Sequence, residues 1–347
     1  MTSNQFFQEL KESSILTSYN FARLSDFIYA EELTFEQYEL LNKKNNYEII
    51  HDDYRIVYLN PEIVLKENDV IFCNTHFVEY LFKDLKSCNL KNLKLITHQS
   101  DIPINKRLYN KKPDCISEWY GININYEDNN LIPIPIGISN YYSPKNLFYK
   151  DFKKSNLDSY QKINEIYVNF NVNTNRKVRE KLVKNLENKA SFYIEKEKKN
   201  LNEYLSSLIN FKYVMCPEGN GIDTHRFWET IYAGSIPVSE KNITLKAAEG
   251  IPVILLNSYN ELSAEMIFDY DLKEGNFNIQ KLTVEYWIDL IKNYSIISSD
   301  KFTYLESNFK TKKNIFLYKF RIYLYSYYKR TNYYFLKLKK LSTVIKK

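Results

Sequence analysis

The chain has 347 residues, of which 44% are hydrophobic and 26% are charged, and this composition is typical of a globular protein large enough for two domains. Its formal net charge of +6 is unevenly distributed, because residues 310–347 contain twelve Lys or Arg and no Asp or Glu. The rest of the chain, with 36 basic and 42 acidic residues, is therefore acidic and unlike a nucleic-acid-binding domain.

Targeting and cysteine patterns exclude further classes of protein. The first residues lack the basic region and apolar core of a signal peptide, and no apolar stretch reaches the length of a membrane-spanning helix. The four cysteines, Cys73, Cys88, Cys115 and Cys216, are scattered without a C-x-x-C pair, so neither a zinc site nor a disulfide framework is indicated. We therefore expect a cytoplasmic protein in which Cys73 and Cys216 are small core residues.

The first half of the chain predicts an open parallel sheet. Phe21, Leu24, Phe27 and Ile28 have the spacing of an amphipathic helix. Short apolar runs separated by helical segments follow, and this alternation is typical of β/α folds. The predicted strands are Tyr47–His51, Arg55–Leu59, Asp69–Cys73, Leu93–Thr97, Ile116–Gly121 and Leu131–Gly137, and the predicted helix is His76–Leu85.

The second half of the chain predicts another domain of the same kind. The polar stretch Tyr149–Gln161 has no apolar period and is interpreted as the linker between the two domains. A second alternation of strands and helices follows this stretch. The predicted strands are Glu165–Phe170, Ser191–Ile194, Phe211–Cys216, Ile236–Val238 and Pro252–Leu256. The predicted helices are Lys177–Leu186, Leu201–Ile209, Ile243–Glu249, Glu261–Phe268 and Val284–Lys292.

The stretch Val214–Val238 carries the strongest functional signal. It holds three of the seven glycines and predicts a strand, a tight loop, a helix from about Thr224 to Tyr232 and a second strand. Asp223 is placed to cap that helix at its N-terminus, and Gly234 is placed to end it. A glycine-rich loop before a helix suits phosphate, because free N–H groups and the positive end of the helix dipole face the ligand.

Two charged residues strengthen the prediction of a phosphate site. Arg226 adds a cation that can bind a phosphate through two hydrogen bonds. Glu229 follows at i+3 on the same face of the helix and is suited to hold sugar or ribose hydroxyl groups. The alternative is that Arg226 and Glu229 pair with each other on the helix surface.

The residues from Pro217 to Val238 follow the pattern Pro-x-Gly-Asn-Gly-x-Asp-x-His-Arg-x-Trp-Glu and then Gly-x-Ile-Pro-Val. This stretch resembles the donor-binding signature of exostosin-like glycosyltransferases and related bacterial sugar transferases. A looser resemblance to the bacterial relatives extends back to Leu95, through a His-x-Ser-Asp segment and a Pro-Ile-Gly segment. The resemblance implies an α/β fold with two Rossmann-like domains that face each other across a cleft, the GT-B architecture of glycosyltransferases.

The resemblance also implies a function. It is the transfer of a sugar from a nucleoside-diphosphate sugar to a hydroxyl of a saccharide or lipid-linked glycan, in the synthesis of a surface polysaccharide or glycoconjugate. We expect an acceptor domain at 1–150, a donor domain at 160–305 and a separate tail at 310–347. The expected donor-binding residues are Gly219, Asn220, Gly221, Asp223, His225, Arg226, Glu229 and Arg176. For Arg176, which follows a polar loop at a strand end, a surface position at the start of a helix is the alternative.

Transfer with inversion needs a base that takes the proton of the acceptor hydroxyl. Side chains at the carboxyl ends of parallel strands face the ligand, so Asp101 and His98 are the candidates. Their alternatives are a turn cap before Pro103 and a core position, respectively, and a retaining mechanism is left open. The Asp-x-Asp triplet Asp269-Tyr-Asp271 follows a predicted helix and is interpreted as a solvated helix end. We therefore expect no metal site and no tightly bound cofactor, with the nucleotide sugar as substrate.

Residues 310–347 interleave aromatic side chains with Lys and Arg. This pattern suits an anionic membrane surface, and it predicts a peripheral protein on the inner face of the membrane. A solvated helix with tyrosines packed on the body is an equal alternative, whereas nucleic acid is not expected as a partner. For the whole chain, the alternatives are a glycan- or nucleotide-binding protein on the same fold without turnover, and another nucleotide-dependent enzyme such as an epimerase.

Overall fold

The computed structural model describes residues 9–41, 48–51, 55–140, 146–154, 162–187, 189–269, 277–293 and 300–344. Within these ranges the chain is an α/β protein with one mixed sheet, one parallel sheet and a short two-stranded sheet. None of the helices in these ranges is both long enough and apolar enough to span a lipid bilayer.

The first half of the chain contributes eight strands. In chain order they are β1 (Phe27–Thr34), β2 (Glu48–His51), β3 (Arg55–Leu59), β4 (Glu62–Lys66), β5 (Val70–Asn74), β6 (Leu93–His98), β7 (Ile116–Gly121) and β8 (Leu131–Pro133). All but β4 form a mixed sheet in the order β2-β3-β1-β5-β6-β7-β8. β1 and β5 to β8 run parallel, whereas β3 and β2 extend the sheet in antiparallel fashion.

The helices of the first half are short. They are α1 (Ser18–Leu24), α2 (Phe35–Leu40), α3 (Val78–Asp84), α4 (Lys106–Tyr109) and α5 (Tyr149–Lys154). Thr17 caps α1 and Thr34 caps α2, because their hydroxyl groups accept hydrogen bonds from backbone N–H groups of the first turn. The strands β5 and β6 are buried along their whole length, as expected of parallel strands covered on both faces.

The second half forms a five-stranded sheet in which every strand is parallel to its neighbours. Its strands are β9 (Ile163–Val168), β10 (Phe192–Ile194), β11 (Phe211–Met215), β12 (Ile236–Glu240) and β13 (Ile254–Leu256). Its helices are α6 (Arg176–Leu186), α7 (Leu201–Asn210), α8 (His225–Tyr232), α9 (Ala264–Phe268) and α10 (Val284–Ile291). The order β10-β9-β11-β12-β13 is the 2-1-3-4-5 order of a doubly wound sheet. From β9 the chain adds β10 on one side and then β11, β12 and β13 on the other, so the strand order reverses between β9 and β11.

The end of the chain returns to the first half. β14 (Lys301–Leu305) pairs antiparallel with β4, and the long helix α11 (Asn308–Val344) follows it. Tyr318 of α11 is buried in the core that surrounds the first sheet, with its ring 4.8 Å from that of Phe77. The core around the first sheet is therefore completed by residues from the far end of the sequence.

Three details of the structure correct the sequence predictions. Phe27 and Ile28 belong to β1 and not to a helix, which ends at Leu24. The predicted linker Tyr149–Gln161 begins with α5, and its Phe152 is fully buried in the core. The predicted strand Leu131–Gly137 ends at Pro133, and Gly137, four residues later, turns at a φ of 67° against the backbone of Leu16.

Candidate functional site

A cavity of about 460 Å³, the first cavity, lies at the carboxyl ends of β9 and β11. In doubly wound sheets ligands bind where the strand order reverses, because the loops that leave the two neighbouring strands diverge there. The loop after β9, the loop after β11 with the start of α8, and the start of α7 line this cavity. Asp101, which follows β6, and Ile136, which follows β8, add a wall from the first half of the chain.

Asp223 ties the loop after β11 to the first half of the chain. Its Oδ2 accepts a hydrogen bond of 2.9 Å from the Ile136 amide, and the indole N–H of Trp228 lies 3.0 Å from both carboxylate oxygens. Burial raises the pKa of Asp223 to about 7, although the surrounding N–H donors act in the opposite direction. The prediction that Asp223 caps α8 is wrong, because the N-cap residue is Thr224 and α8 begins at His225.

Gly221 brings the same loop against the end of the first sheet. The side chain of Asn123 accepts a hydrogen bond of 2.9 Å from the Asp223 amide and donates one of 2.9 Å to the carbonyl of Ser100. A Cβ atom on Gly221 would lie 2.8 Å from Oδ1 of Asn123 and 3.1 Å from Oδ1 of Asp101. Glycine is needed here because two segments approach closely, and its φ is not positive.

Arg179 joins the two loops that line the first cavity. Its guanidinium donates hydrogen bonds of 3.0, 2.9 and 2.7 Å to the carbonyls of Asn171, Pro217 and Glu218, respectively. Arg179 is 6% exposed and is therefore buried between the two loops. The sequence held no local signal for this role, because two of these acceptors, Pro217 and Glu218, lie 38 and 39 residues further along the chain.

Arg226 reaches the first cavity from the second position of α8. Its guanidinium stacks on the ring of Tyr204, with 4.9 Å between Cζ and the ring centroid, and its Nη1 is buried without a hydrogen-bond partner among the described residues. Burial, followed by the positive charge of Arg226, lowers the pKa of Arg179 to about 10. Two neighbouring guanidinium groups, one with an unpaired N–H, create a site that an anion would stabilise.

The carboxylate of Glu229 forms hydrogen bonds with groups other than Arg226. Its Oε1 accepts a hydrogen bond of 3.3 Å from the Leu147 amide, and its Oε2 accepts one of 3.0 Å from the hydroxyl of Tyr204. Burial raises the pKa of Glu229, and the positive charges of His225 and Arg226 oppose this shift. The alternative of a surface pair between Arg226 and Glu229 is therefore wrong.

Arg176 lies outside the first cavity. Its Nε is 3.1 Å from Oε2 of Glu180, one turn later in α6, so the surface alternative describes it. The other predicted donor-binding residues, Gly219, Asn220, Gly221, Asp223, His225, Arg226 and Glu229, all line the cavity. Lining residues that the sequence analysis missed include Lys198, Lys199 and Tyr204 at the start of α7. The sequence shows Lys198 and Lys199 as a basic pair just before a helix. Only the order of the strands, however, shows that this helix begins at the edge of the sheet where the first cavity lies.

A second cavity, of about 650 Å³, adjoins the first. The two cavities share Asp101, Ile136 and His225 as lining residues. A contact of 2.8 Å between Nδ1 and the carbonyl of Gly137 holds the His225 imidazole at this junction. The exposed side chain of Asp101 therefore lies where a ligand in one cavity would meet a ligand in the other.

His98 lines the second cavity but is 2% exposed. Its Nδ1 accepts a hydrogen bond of 2.9 Å from the amide of Gln99, which adopts a left-handed φ of 65°. Burial, followed by the positive charge of His225, lowers the pKa of His98 to about 3. A neutral, buried imidazole is a weak proton acceptor, so the core alternative describes His98 better than the role of base does.

Among the described residues, no group of three or more His, Cys, Asp or Glu side chains is arranged to hold a metal ion. Asp269 of the Asp-x-Asp triplet is the C-cap residue of α9, in agreement with its interpretation as a helix end. Asp271 lies outside the described residues.

A comparison of the chain with protein-family models gives no match, and a comparison with curated proteins gives no significant relative. The resemblance to glycosyltransferases therefore depends on the residues of Pro217–Val238 and on the looser segments before them. The chemistry of the site has to be derived from its own side chains.

Proposed function

We propose that the protein is a glycosyltransferase that moves a sugar from a nucleoside-diphosphate sugar to a hydroxyl of a saccharide or glycan. The observation that carries the proposal is the junction of two cavities at Asp101, Ile136 and His225. Transfer between two large substrates needs adjoining sites whose reacting atoms meet, as the two cavities allow. In this proposal the two large sheets belong to two Rossmann-like domains of the GT-B type, and the cavities are the two sides of the cleft between them.

The first cavity offers the groups that a diphosphate needs. The N-terminus of α8, where Thr224 makes no side-chain capping hydrogen bond, offers first-turn backbone N–H groups and the positive end of the helix dipole. Arg226 supplies a guanidinium with a buried, unpaired N–H, and the exposed Lys198 adds charge at the rim. Glu229 keeps unused lone pairs on its two oxygens, which suits a hydroxyl of the ribose or the sugar.

The proposed reaction takes place at the junction of the cavities. The acceptor oxygen forms a bond to the anomeric carbon as the bond between that carbon and the diphosphate oxygen breaks. Asp101 takes the proton of the acceptor hydroxyl, as a general base. Arg226 and the N-terminus of α8 stabilise the negative charge that develops on the leaving nucleoside diphosphate.

Arg226→Ala tests the assignment of the first cavity. We expect it to weaken the binding of nucleoside diphosphates by at least tenfold, because a hydrogen bond to a charged group contributes about 1.5–3 kcal/mol. Isothermal titration calorimetry with a panel of nucleoside diphosphates and their sugars measures this loss. Arg176→Ala is the matched control, since Arg176 begins the helix after the neighbouring strand β9 but pairs with Glu180, and it should bind like the wild type.

Wild-type binding and turnover by the Arg226→Ala variant would contradict the assignment. Product analysis then separates the reaction classes. A new glycosidic bond identifies a transferase and excludes an epimerase. Failure to consume any donor of a broad panel, with or without acceptors, would leave a binding protein without turnover.

A further inference from the structure

One face of the C-terminal helix α11 packs against the body of the protein, and the opposite face is exposed along the part of the helix whose side chains the structure describes. Thr311, Asn314 and Tyr318 face the body and are buried. The opposite face carries five aromatic side chains that are 49% to 80% exposed, which we call the outer stripe. The outer stripe consists of Phe309, Phe316, Phe320, Tyr323 and Tyr327.

The outer stripe has helical periodicity. Its members are successively seven, four, three and four residues apart, so at about 100° per residue they fall within about 60° of one another. The rings of Phe316 and Phe320 stack on each other with centroids 6.4 Å apart. A continuous aromatic row on a protein surface marks an interaction site more often than an isolated exposed residue does.

The protein body fixes the direction of the outer stripe. Lys310, at the base of α11, forms ion pairs with the buried carboxylates of Asp84 and Glu306. Asn314 donates a hydrogen bond of 2.8 Å to Oε1 of Glu306. Rotation of α11 to bury the outer stripe would break this cluster and leave two carboxylates without a cation.

Positive charge borders the outer stripe on both sides. By helical position, the exposed Lys312 and Lys319 lie on one side and the exposed Lys313 lies on the other. Residues 310–347 contain twelve Lys or Arg and no acidic residue. A second copy of the chain would bring the same charge to this face, which disfavours self-association. An anionic lipid surface offers both an apolar layer and the opposite charge.

We propose that α11 binds an anionic membrane surface through the outer stripe, and that this contact places the second cavity at the lipid surface. The same helix forms one wall of that cavity with Tyr318, Lys319, Ile322 and Tyr323. The consequence for the substrate rests on the proposed function: the acceptor that enters the second cavity is a glycan carried by a lipid.

Sedimentation of the full-length protein with vesicles tests the membrane contact. Wild type should sediment with phosphatidylcholine vesicles that contain phosphatidylglycerol, and not with pure phosphatidylcholine vesicles. The triple variant Phe309→Ser, Phe316→Ser and Phe320→Ser should bind at least about tenfold more weakly, because it loses buried apolar area. Replacement of Lys312 and Lys313 by Gln should weaken binding about fivefold per residue, since each contributes about 1 kcal/mol at an anionic surface.

A matched control removes exposed apolar side chains elsewhere. Leu40→Ser, Phe277→Ser and Leu290→Ser together should leave vesicle binding unchanged, since these residues lie outside α11. Undiminished sedimentation of the outer-stripe variant, or equal binding of the wild type to neutral vesicles, would overturn the proposal. A dimer in analytical ultracentrifugation that the outer-stripe variant abolishes would assign this face to a second copy instead.

Transfer assays separate the failure of this inference from the failure of the proposed function. Wild type should favour a glycan anchored in anionic vesicles over the same glycan in solution, and the outer-stripe variant should lose that preference while it keeps its rate on the soluble glycan. Equal rates on both acceptors for the wild type would reject the lipid-borne acceptor and leave the transferase intact. Vesicle binding without transfer to any acceptor would instead reject the transferase and leave the membrane contact intact.

Discussion

Asp101 and His98 lie three residues apart at the carboxyl end of β6, yet their surroundings differ sharply. Asp101 is exposed at the junction of the two cavities, whereas His98 is 2% exposed and burial lowers its pKa to about 3. A base must accept a proton at neutral pH and must reach the substrate. Exposure at the junction of the cavities favours the carboxylate over the buried imidazole.

Asp101→Asn should lower the rate of transfer by about 10²- to 10⁴-fold, the usual contribution of a general base. Donor binding should stay within about twofold of the wild type, because the diphosphate contacts belong to α8. Steady-state kinetics and calorimetry measure the two effects separately. Asp114→Asn, at an exposed position of the first half, is the control and should have no effect. A wild-type rate for Asp101→Asn would move the base to another group.

His98 predicts a pH dependence of stability. Its pKa is about 3 in the folded protein, below its usual value of 6.5, so the unfolded chain binds the proton more readily. The stabilisation is therefore present above about pH 6.5 and is lost as the pH falls towards the folded pKa, by about 1.4 kcal/mol per pH unit. Urea unfolding at pH 7 and pH 5 should show a smaller acid loss for His98→Gln than for the wild type. An equal loss in both proteins would show that His98 does not titrate in this way.

The sequence could identify residues whose role depends on near neighbours. Arg226 follows a glycine-rich loop at the start of a helix, and that local pattern is enough to predict an anion site. Arg179 and Asp223 could not be assigned correctly, because their partners come from other segments. The carbonyl acceptors of Arg179 lie 8 to 39 residues away, and Ile136, which donates to Asp223, lies 87 residues away.

At the scale of elements, the loop after β11 is one of the places where both halves meet. Gly221→Ala tests how much this close approach matters, because its Cβ would lie 2.8 Å from Asn123 and 3.1 Å from Asp101. We expect a loss of transfer rate of at least tenfold, since a displaced base no longer meets the acceptor. The free energy of unfolding should fall by about 1–3 kcal/mol, the usual cost of overpacking.

Kinetics and urea unfolding of Gly221→Ala measure these two quantities. Gly250→Ala is a useful control, because a Cβ there meets nothing within 4 Å and only its φ of 82° is strained. It should lose stability without a loss of rate per folded molecule. Full activity of Gly221→Ala would mean that the loop can shift without moving Asp101.

Helices and strands were predictable where the spacing of the apolar residues fitted a helix or a strand but not both. The strands and most helices of the second half were located to within a few residues, because amphipathic helical segments alternate with short apolar runs. The predicted helix Ile243–Glu249 is instead a 3₁₀ helix, Thr244–Ala248. β1 was misread because Phe27 and Ile28 happen to continue the helical spacing of Phe21 and Leu24. The helix ends where the backbone of Ser25 becomes extended. The spacing of the apolar residues does not reveal this change of backbone conformation.

At the scale of the whole molecule, the alternation of strands and helices was enough to predict an α/β protein. The strands β2 and β3 were predicted, but their antiparallel pairing and the pairing of β4 with β14 were not, because strand pairing over long separations has no signature in one sequence. The ion pairs of Lys310 with Asp84 and Glu306 show how firmly the end of the chain is attached.

Lys310→Met should lower the free energy of unfolding by about 3–5 kcal/mol, because it leaves two carboxylates that are 0% and 1% exposed without their cation. Urea unfolding measures the loss. Lys312→Met, two residues later and exposed, should change stability by less than about 0.5 kcal/mol. Equal stability of both variants would show that α11 is not held by this cluster.

The pairing of β4 with β14 also sets the order in which the protein is completed during synthesis. The second sheet, residues 163–256, is continuous in sequence and can assemble as soon as it leaves the ribosome. The first half emerges earlier but has to wait for β14 and for Tyr318, which fills its core. The region made first is therefore finished last, and the second cavity gains its α11 wall only when nearly the whole chain has been translated.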